Sequence, residues 1–153
     1  MAKARFYGTH NYSMDRKGRV SIPAEFREIM QEKGDEEIVL TISPAGENQY
    51  LLAVPESLWE PEFSPDLEKE QLDEEARSYR RFLMARMEGC PWDKQGRILI
   101  PSFLRDYAGL TREVSLVGTG KNSFEIWDRE TFEKHYGELD LVYRQKRSKP
   151  ADQ

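Results

Sequence analysis

One cysteine, two histidines and no long apolar run in 153 residues remove several classes of protein at the outset. Cys90 has no partner for an internal disulfide, which agrees with a reducing compartment, and its small apolar side chain suits packing better than reactive-thiol chemistry. His10 and His135 stand apart from any Cys/His cluster, which argues against a structural zinc site. No stretch approaches the roughly 20 apolar residues that span a bilayer. MAKARFYGTHNYSM lacks the apolar core of a secretion signal, so a cytoplasmic location is expected. The chain has no GK[ST] loop, and Gly118 and Gly120 alone are weak evidence for a phosphate cradle. With no nucleophile motif, metal-ligand set or cofactor fingerprint, neither an enzyme nor a bound cofactor is expected.

What the chain does contain is a repeat. DRKGRVSIPAEFREIM, from Asp15 to Met30, recurs 78 positions later as DKQGRILIPSFLRDYA, from Asp93 to Ala108. Between Asp15–Glu28 and Asp93–Asp106, six of fourteen positions are identical. The hydrophobic pattern of YLLAVPESLW, from Tyr50, returns in SFEIWDRETF, from Ser123. Two copies are too few for a solenoid, so a pseudo-twofold pair is the economical reading, a fused form of what would otherwise be a homodimer. A hydrophobic content of 38% suits one compact domain or two small halves sharing a core.

The net charge of −5 is unevenly spread: Glu60 to Glu75 carries eight acids and one base, leaving +2 for the rest. Lys3, Arg5, Arg16, Lys17 and Arg19 form a basic cluster with Asp15 as its single acid, and Arg144, Lys146, Arg147 and Lys149 make the tail basic. A charge run by itself is usually a solvated face. The repeat gives the first cluster more weight, because Arg16, Lys17 and Arg19 fall inside the duplicated motif.

Each copy reads as a strand, a tight turn at DRKG or DKQG, a second strand and a short helix. The carboxylate of Asp15 or Asp93 can accept local backbone hydrogen bonds while Gly18 or Gly96 takes the positive φ that such a loop needs. RVSIP and RILIP end at Pro23 and Pro101, which stop a ladder and open a helix. AEFREIM and SFLRDYAGL then predict helices, with Phe26, Ile29 and Met30, and Leu104 and Tyr107, turned inward. IVLTI, YLLAV, VSLVG and FEIW predict further strands.

Between the copies, Ser64 and Pro65 mark a helix start and Gly89 its stop. Acids fill its first turns, Arg77, Arg80, Arg81 and Arg86 its later ones, and Leu72, Ala76, Tyr79, Leu83 and Met87 lie on one face. This helix is expected to join the halves and to pack on them or on a neighbouring subunit.

The paired D-x-x-G-R motifs, RVSIPAEFRE, RILIPSFLRDYAGL and LVGTGKNSFEIWD together resemble the MraZ family over nearly the whole chain. The resemblance implies an α+β, mainly β fold: a tandem AbrB-like swapped-hairpin β-barrel with short helices and one long inter-repeat helix. Its parts would be a first repeat at 5–59, an acidic linking helix at 60–88, a second repeat at 89–143 and a flexible basic tail at 144–153. The resemblance also implies a sequence-specific, nucleoid-associated DNA-binding regulator. It would act as a repressor at the promoter of its own division and cell-wall operon, as a ring-like homo-oligomer; head-to-tail interfaces in such a ring would favour direct repeats over palindromes.

Carried onto this chain, the family's D-x-x-x-R signature falls on Asp15 with Arg19 and on Asp93 with Arg97. Asp15, Gly18, Asp93 and Gly96 would fix the turns or orient the arginines. Arg19 and Arg97 carry planar donor forks that suit phosphate or a guanine edge, and Arg16, Lys17 and Lys94 suit backbone phosphates. Arg27 and Arg105 also recur, but on the helices a structural salt bridge competes with any DNA role. The alternative function is an AbrB-like protein-interaction scaffold or antitoxin, with the acidic helix as docking surface.

Overall fold

The computed structural model describes residues 5–43, 46, 48–59, 74–120 and 122–148. The first repeat runs β1 (Thr9–Ser13), β2 (Arg19–Ser21), α1 (Ala24–Glu32), β3 (Glu37–Ile42) and β4 (Leu51–Pro55), followed by a 3-10 turn at Glu56–Leu58. After α2 (Glu74–Met84), the second runs β5 (Glu88–Pro91), β6 (Arg97–Leu99), α3 (Ser102–Ala108), β7 (Glu113–Gly118), β8 (Phe124–Asp128) and α4 (Arg129–Ser148).

The prolines act as anticipated. Pro23 O accepts the first helical bond of α1 from Arg27 N at 3.0 Å, and Pro101 O accepts that of α3 from Arg105 N at 3.0 Å. The SFLRDYA helix ends at Ala108, and Gly109 caps it at φ +64°.

All strand pairing is antiparallel. One sheet has the order β1-β7-β8-β4-β3-β5, and β2 pairs with β6 in a separate two-stranded ribbon. Exchanging the repeats, so that β1 replaces β5, β3 replaces β7 and β4 replaces β8, turns the order into itself reversed. A pseudo-twofold axis therefore passes between β4 and β8. It also passes through the ribbon, where Val20 faces Ile98, its own equivalent 78 positions on. The backbone bonds flanking that pair are equivalent too: Ile22 N to Gly96 O and Ile100 N to Gly18 O, both 3.0 Å.

Each repeat thus lends its first strand to the other: β1 pairs with β7, and β5 with β3. No ladder joins the edges β1 and β5 among the described residues, so the six strands form an open sheet and not the closed barrel expected. The edges instead run through the turns at Asp15 and Asp93 into the ribbon, and a bridge between Trp92 and Ile98 ties β5 to β6.

The core lies across the axis. Phe6, Phe26 and Phe124 meet with ring centroids 4.9–5.4 Å apart. Val20, Ile22, Ile98, Ile100, Met30 and Leu104 close around them, all buried. Cys90 is buried with them and its thiol is pushed up to about 12, chiefly by desolvation, which suits packing and not reactivity.

Two elements depart from the sequence reading, and one expectation falls elsewhere. The expected start of the linking helix at Ser64, together with Leu72, lies outside the described residues. The described part of that helix stops at Met84, and Gly89 is not its cap but a residue of β5. Of its apolar stripe Leu83 is buried while Tyr79 is 46% exposed, and Thr41 Oγ1 donates to Leu83 O at 2.6 Å, a polar fastening beside the apolar one. Finally, α4 is a helix of 20 residues that takes in Arg144–Ser148. Asp128 caps it, accepting from Thr131 N at 3.1 Å and Thr131 Oγ at 2.9 Å.

Gly18 and Gly96, at φ +95° and +78°, are covered by arginines, so that a Cβ on either would lie 2.7 Å from a guanidinium carbon. Gly34, at φ +79°, has nothing within 4 Å. Gly34→Ala is expected to cost about 1–2 kcal/mol in urea unfolding, the penalty for an L residue in that conformation. Gly18→Ala and Gly96→Ala should cost more, since an anchored arginine must also move. Equal losses at all three positions would show that the arginines yield freely.

Candidate nucleic-acid interface

Both D-x-x-G-R segments close in the same way. In the first, Asp15 N donates to Arg19 O at 2.9 Å and Gly18 N to Asp15 O at 3.0 Å. The Asp15 carboxylate accepts Lys17 N at 3.0 Å and Arg19 N at 2.8 Å on Oδ1, and Arg19 Nε at 2.6 Å on Oδ2. In the second, Asp93 Oδ1 accepts Gln95 N at 2.9 Å and Arg97 N at 3.0 Å, and Oδ2 accepts Arg97 Nε at 3.0 Å and Nη2 at 2.9 Å. One carboxylate therefore folds the loop with one oxygen and orients the arginine with the other.

The ribbon brings the two motifs together. Its register sets Arg19 opposite Leu99 and Ser21 opposite Arg97, with the Val20–Ile98 pair between them. Side chains alternate across a strand, so Val20 and Ile98, both buried, point to the core, while Arg19, Ser21, Arg97 and Leu99 share the other face. The two motifs touch directly, with Arg97 Nη1 3.9 Å from Asp15 Oδ2. Arg16, Lys17, Lys94 and Gln95 stand exposed at the loop tips. All of the residues expected at the site thus lie on the ribbon or on the two turns that lead into it.

Arg27 and Arg105 are placed here as well, although sequence reasoning left them out. Neither makes a salt bridge among the described residues. Arg27 Nε donates to Ile22 O at 3.1 Å and Arg105 Nε to Ile100 O at 2.9 Å, each anchoring its guanidinium to its own strand end. From there each reaches the other repeat's turn: Arg27 covers Gly96 and Arg105 covers Gly18. The available signal was that the two arginines are themselves equivalent, 78 positions apart.

This face carries seven cations against the carboxylates of Asp15 and Asp93, in a chain whose net charge is −5. Such a local excess is what a polyanion requires. Elsewhere, Trp127 stacks between Tyr50 and His135, with centroids at 4.5 and 5.3 Å, and donates to Glu125 Oε1 at 2.8 Å. Burial raises the Glu125 carboxyl and, with Glu125 beside it, pushes Tyr50 up to about 12. These groups fasten α4 to the sheet.

Comparison with known proteins follows the repeat. The family described as "MraZ protein, putative antitoxin-like" matches twice, at residues 5–82 and 83–150. The chain is 39% identical over 135 residues to a protein of Syntrophobacter fumaroxidans named transcriptional regulator MraZ, covering 88% of this chain and 87% of that one. It is 38% identical over 129 residues to the like-named protein of Thioalkalivibrio sulfidiphilus, with coverage of 84% and 83%. For that of Carboxydothermus hydrogenoformans the identity is 34% over 147 residues, with coverage of 96% and 97%. The solution structure of PHS018 from Pyrococcus horikoshii is a distant likeness at 16% identity and TM-score 0.36, covering 80% of this chain and 96% of that one.

The Asp15 carboxyl is held at about 2, chiefly by the backbone N–H of Arg19 against a partial desolvation, with the Arg19 guanidinium lowering it further. Asp93 is lowered in the same way by Arg97. A folded pKa below the unfolded value stabilises fully above about pH 4, and that contribution is lost as the pH falls through the folded pKa. Asp15→Asn is therefore expected to unfold more easily than the parent at about pH 7, with the gap closing between about pH 4 and pH 2. A gap that stays constant over that range in denaturant titrations would show that the turn depends on hydrogen-bond geometry and not on charge.

Proposed function

The chain belongs to the MraZ family, and from that membership we propose that it is a sequence-specific DNA-binding transcriptional regulator that meets double-stranded DNA with the β2/β6 ribbon. The observation that carries this reading is the convergence of both D-x-x-G-R motifs on one face, with Arg19 and Arg97 oriented by Asp15 and Asp93. A two-stranded ribbon fits the major groove, which is roughly 12 Å wide. Preformed arginine forks suit a guanine edge or a phosphate. Arg16, Lys17 and Lys94 at the tips contact the backbone, which positions the protein without reading sequence.

The exchange of β1 and β5 between repeats supports the AbrB-like swapped-hairpin assignment, with an open sheet in place of a full barrel. The regulator represses the operon that holds its own gene, within the division and cell-wall cluster. It works in the cytoplasm at the nucleoid and needs neither cofactor nor membrane. Several ribbons, joined in a ring-like homo-oligomer, sum individually weak contacts along direct repeats. The two repeats act as one unit, with the ribbon as its DNA face.

Binding to DNA from upstream of the protein's own gene, with random DNA as control, tests this reading across a salt series. The parent should bind selectively, and Arg19→Ala/Arg97→Ala should lose that selectivity while remaining folded and keeping its native mass. Arg16→Ala, Lys17→Ala and Lys94→Ala should each lower the slope of log K against log salt by about 1 without changing the preferred sequence. Retained binding by the double variant would move the site elsewhere. No salt-sensitive binding by any form, together with a stoichiometric complex with a second protein, would favour the scaffold or antitoxin alternative.

A further inference from the structure

We propose that Leu99 is a base-reading residue that contacts the 5-methyl group of a thymine in the major groove, beside the base that Arg19 reads. This rests on the DNA-binding reading above and assigns a base to a residue on the same face.

Leu99 is 53% exposed on the outward face of the ribbon, directly across from Arg19. Its equivalent in the first repeat is Ser21, which sits across from Arg97. The inward pair is apolar in both repeats, Val20 and Ile98, whereas the outward pair has diverged into a hydroxyl and an isobutyl group. Among the described residues, packing does not explain the leucine, which is left 53% exposed. Its neighbours across and along the face are guanidinium groups, and the core that β6 serves is filled from the other side by Ile98, which is 1% exposed.

An apolar group flanked by arginines on a groove-reading ribbon has one matching feature on duplex DNA. Of the four bases only thymine presents a methyl group in the major groove. Residues directly across an antiparallel pair have Cβ atoms roughly 5 Å apart, which corresponds to one or two base-pair steps of about 3.4 Å. Arg19 and Leu99 therefore reach neighbouring bases together. Leu99 also excludes water from the arginine's hydrogen bonds, which strengthens them.

The test uses the full-length protein and a duplex that it selects from a random pool. Copies of the selected duplex are made with deoxyuridine in place of each thymidine in turn, so that only the methyl group is removed. One such replacement per repeat should weaken the parent about fourfold, the contribution of one buried methyl-sized group. Leu99→Ala, truncated on an exposed face and checked by thermal unfolding, should bind the thymidine and deoxyuridine copies equally.

Selection of a sequence followed by equal binding to every deoxyuridine copy would overturn the role of Leu99 and leave the DNA-binding reading standing. An undiminished methyl effect in Leu99→Ala would overturn it in the same way, by placing the methyl contact on another residue. A pool that yields no preferred sequence would overturn both.

Discussion

Pairing of β1 with β7 and of β5 with β3 means that each repeat finishes its sheet with a strand from the other. The chain therefore has one core and one folding equilibrium, and the candidate interface depends on that exchange. Only because the edge strands cross over do the turns at Asp15 and Asp93 deliver β2 and β6 to the same axis. There Val20 packs against Ile98, and the two arginine motifs come within 3.9 Å of each other. A two-stranded ribbon of three paired residues is marginal on its own. Here the buried Val20–Ile98 pair and the arginines over Gly18 and Gly96 hold it.

That arrangement contains an electrostatic tension. Asp15 and Asp93 repel phosphate, yet they sit at the centre of a basic face. Their carboxylates fold the loops through backbone N–H groups and fix the arginine side chains at Nε. Each arginine has lost side-chain entropy before any ligand arrives, which lowers the cost of ordering on binding. The negative charge is also kept internal to the motif, since the lowered carboxyl of Asp15 shows how well its own loop solvates it. The surrounding bases, with Arg27 and Arg105 added by the fold, leave the outward potential positive.

Local features were legible in the sequence, and non-local ones were not. Asp-x-x-Gly-Arg, the prolines after it and the apolar alternation each act over a few residues, so both turns, α1, α3 and strands β3, β4, β7 and β8 could be read directly. Nothing local states that β1 pairs with β7 rather than with a strand of its own repeat. That choice is made by the shared core, so the repeat predicted a twofold without its strand order. Gly89 looked like a helix stop because it follows a helical pattern, but pairing with Val39 draws it into β5. The helix from Arg129 was missed because Gly137 and exposed Leu141, Val142 and Tyr143 blur its stripe. Its signals were Asp128 as cap and the i,i+4 pairs Arg129–Glu133 and Asp140–Arg144, at 2.8 and 2.9 Å. Arg27 and Arg105 were set aside as salt-bridge partners, when their role is to cross the axis and cover a glycine.

The ribbon has a symmetric scaffold with asymmetric ends, and this bears on what it reads. One end gathers Arg16, Lys17, Arg19 and Leu99, and the other Lys94, Gln95, Arg97 and Ser21. The inward ribbon positions stay apolar in both copies, Val20 and Ile98, whereas the outward ones differ in chemistry, Ser21 against Leu99 and Lys17 against Gln95. A perfectly twofold ribbon would bind a site equally well in either orientation, which would favour a palindrome. With three cations and an apolar group at one end, and two cations, an amide and a hydroxyl at the other, the two orientations on DNA differ in energy. On the DNA-binding reading the preferred site of a single chain then has a direction. If chains stand head to tail, as the proposed ring requires, they would repeat that direction along the duplex, and the proposed direct-repeat operator would then follow from the divergence of Lys17 from Gln95 and of Ser21 from Leu99.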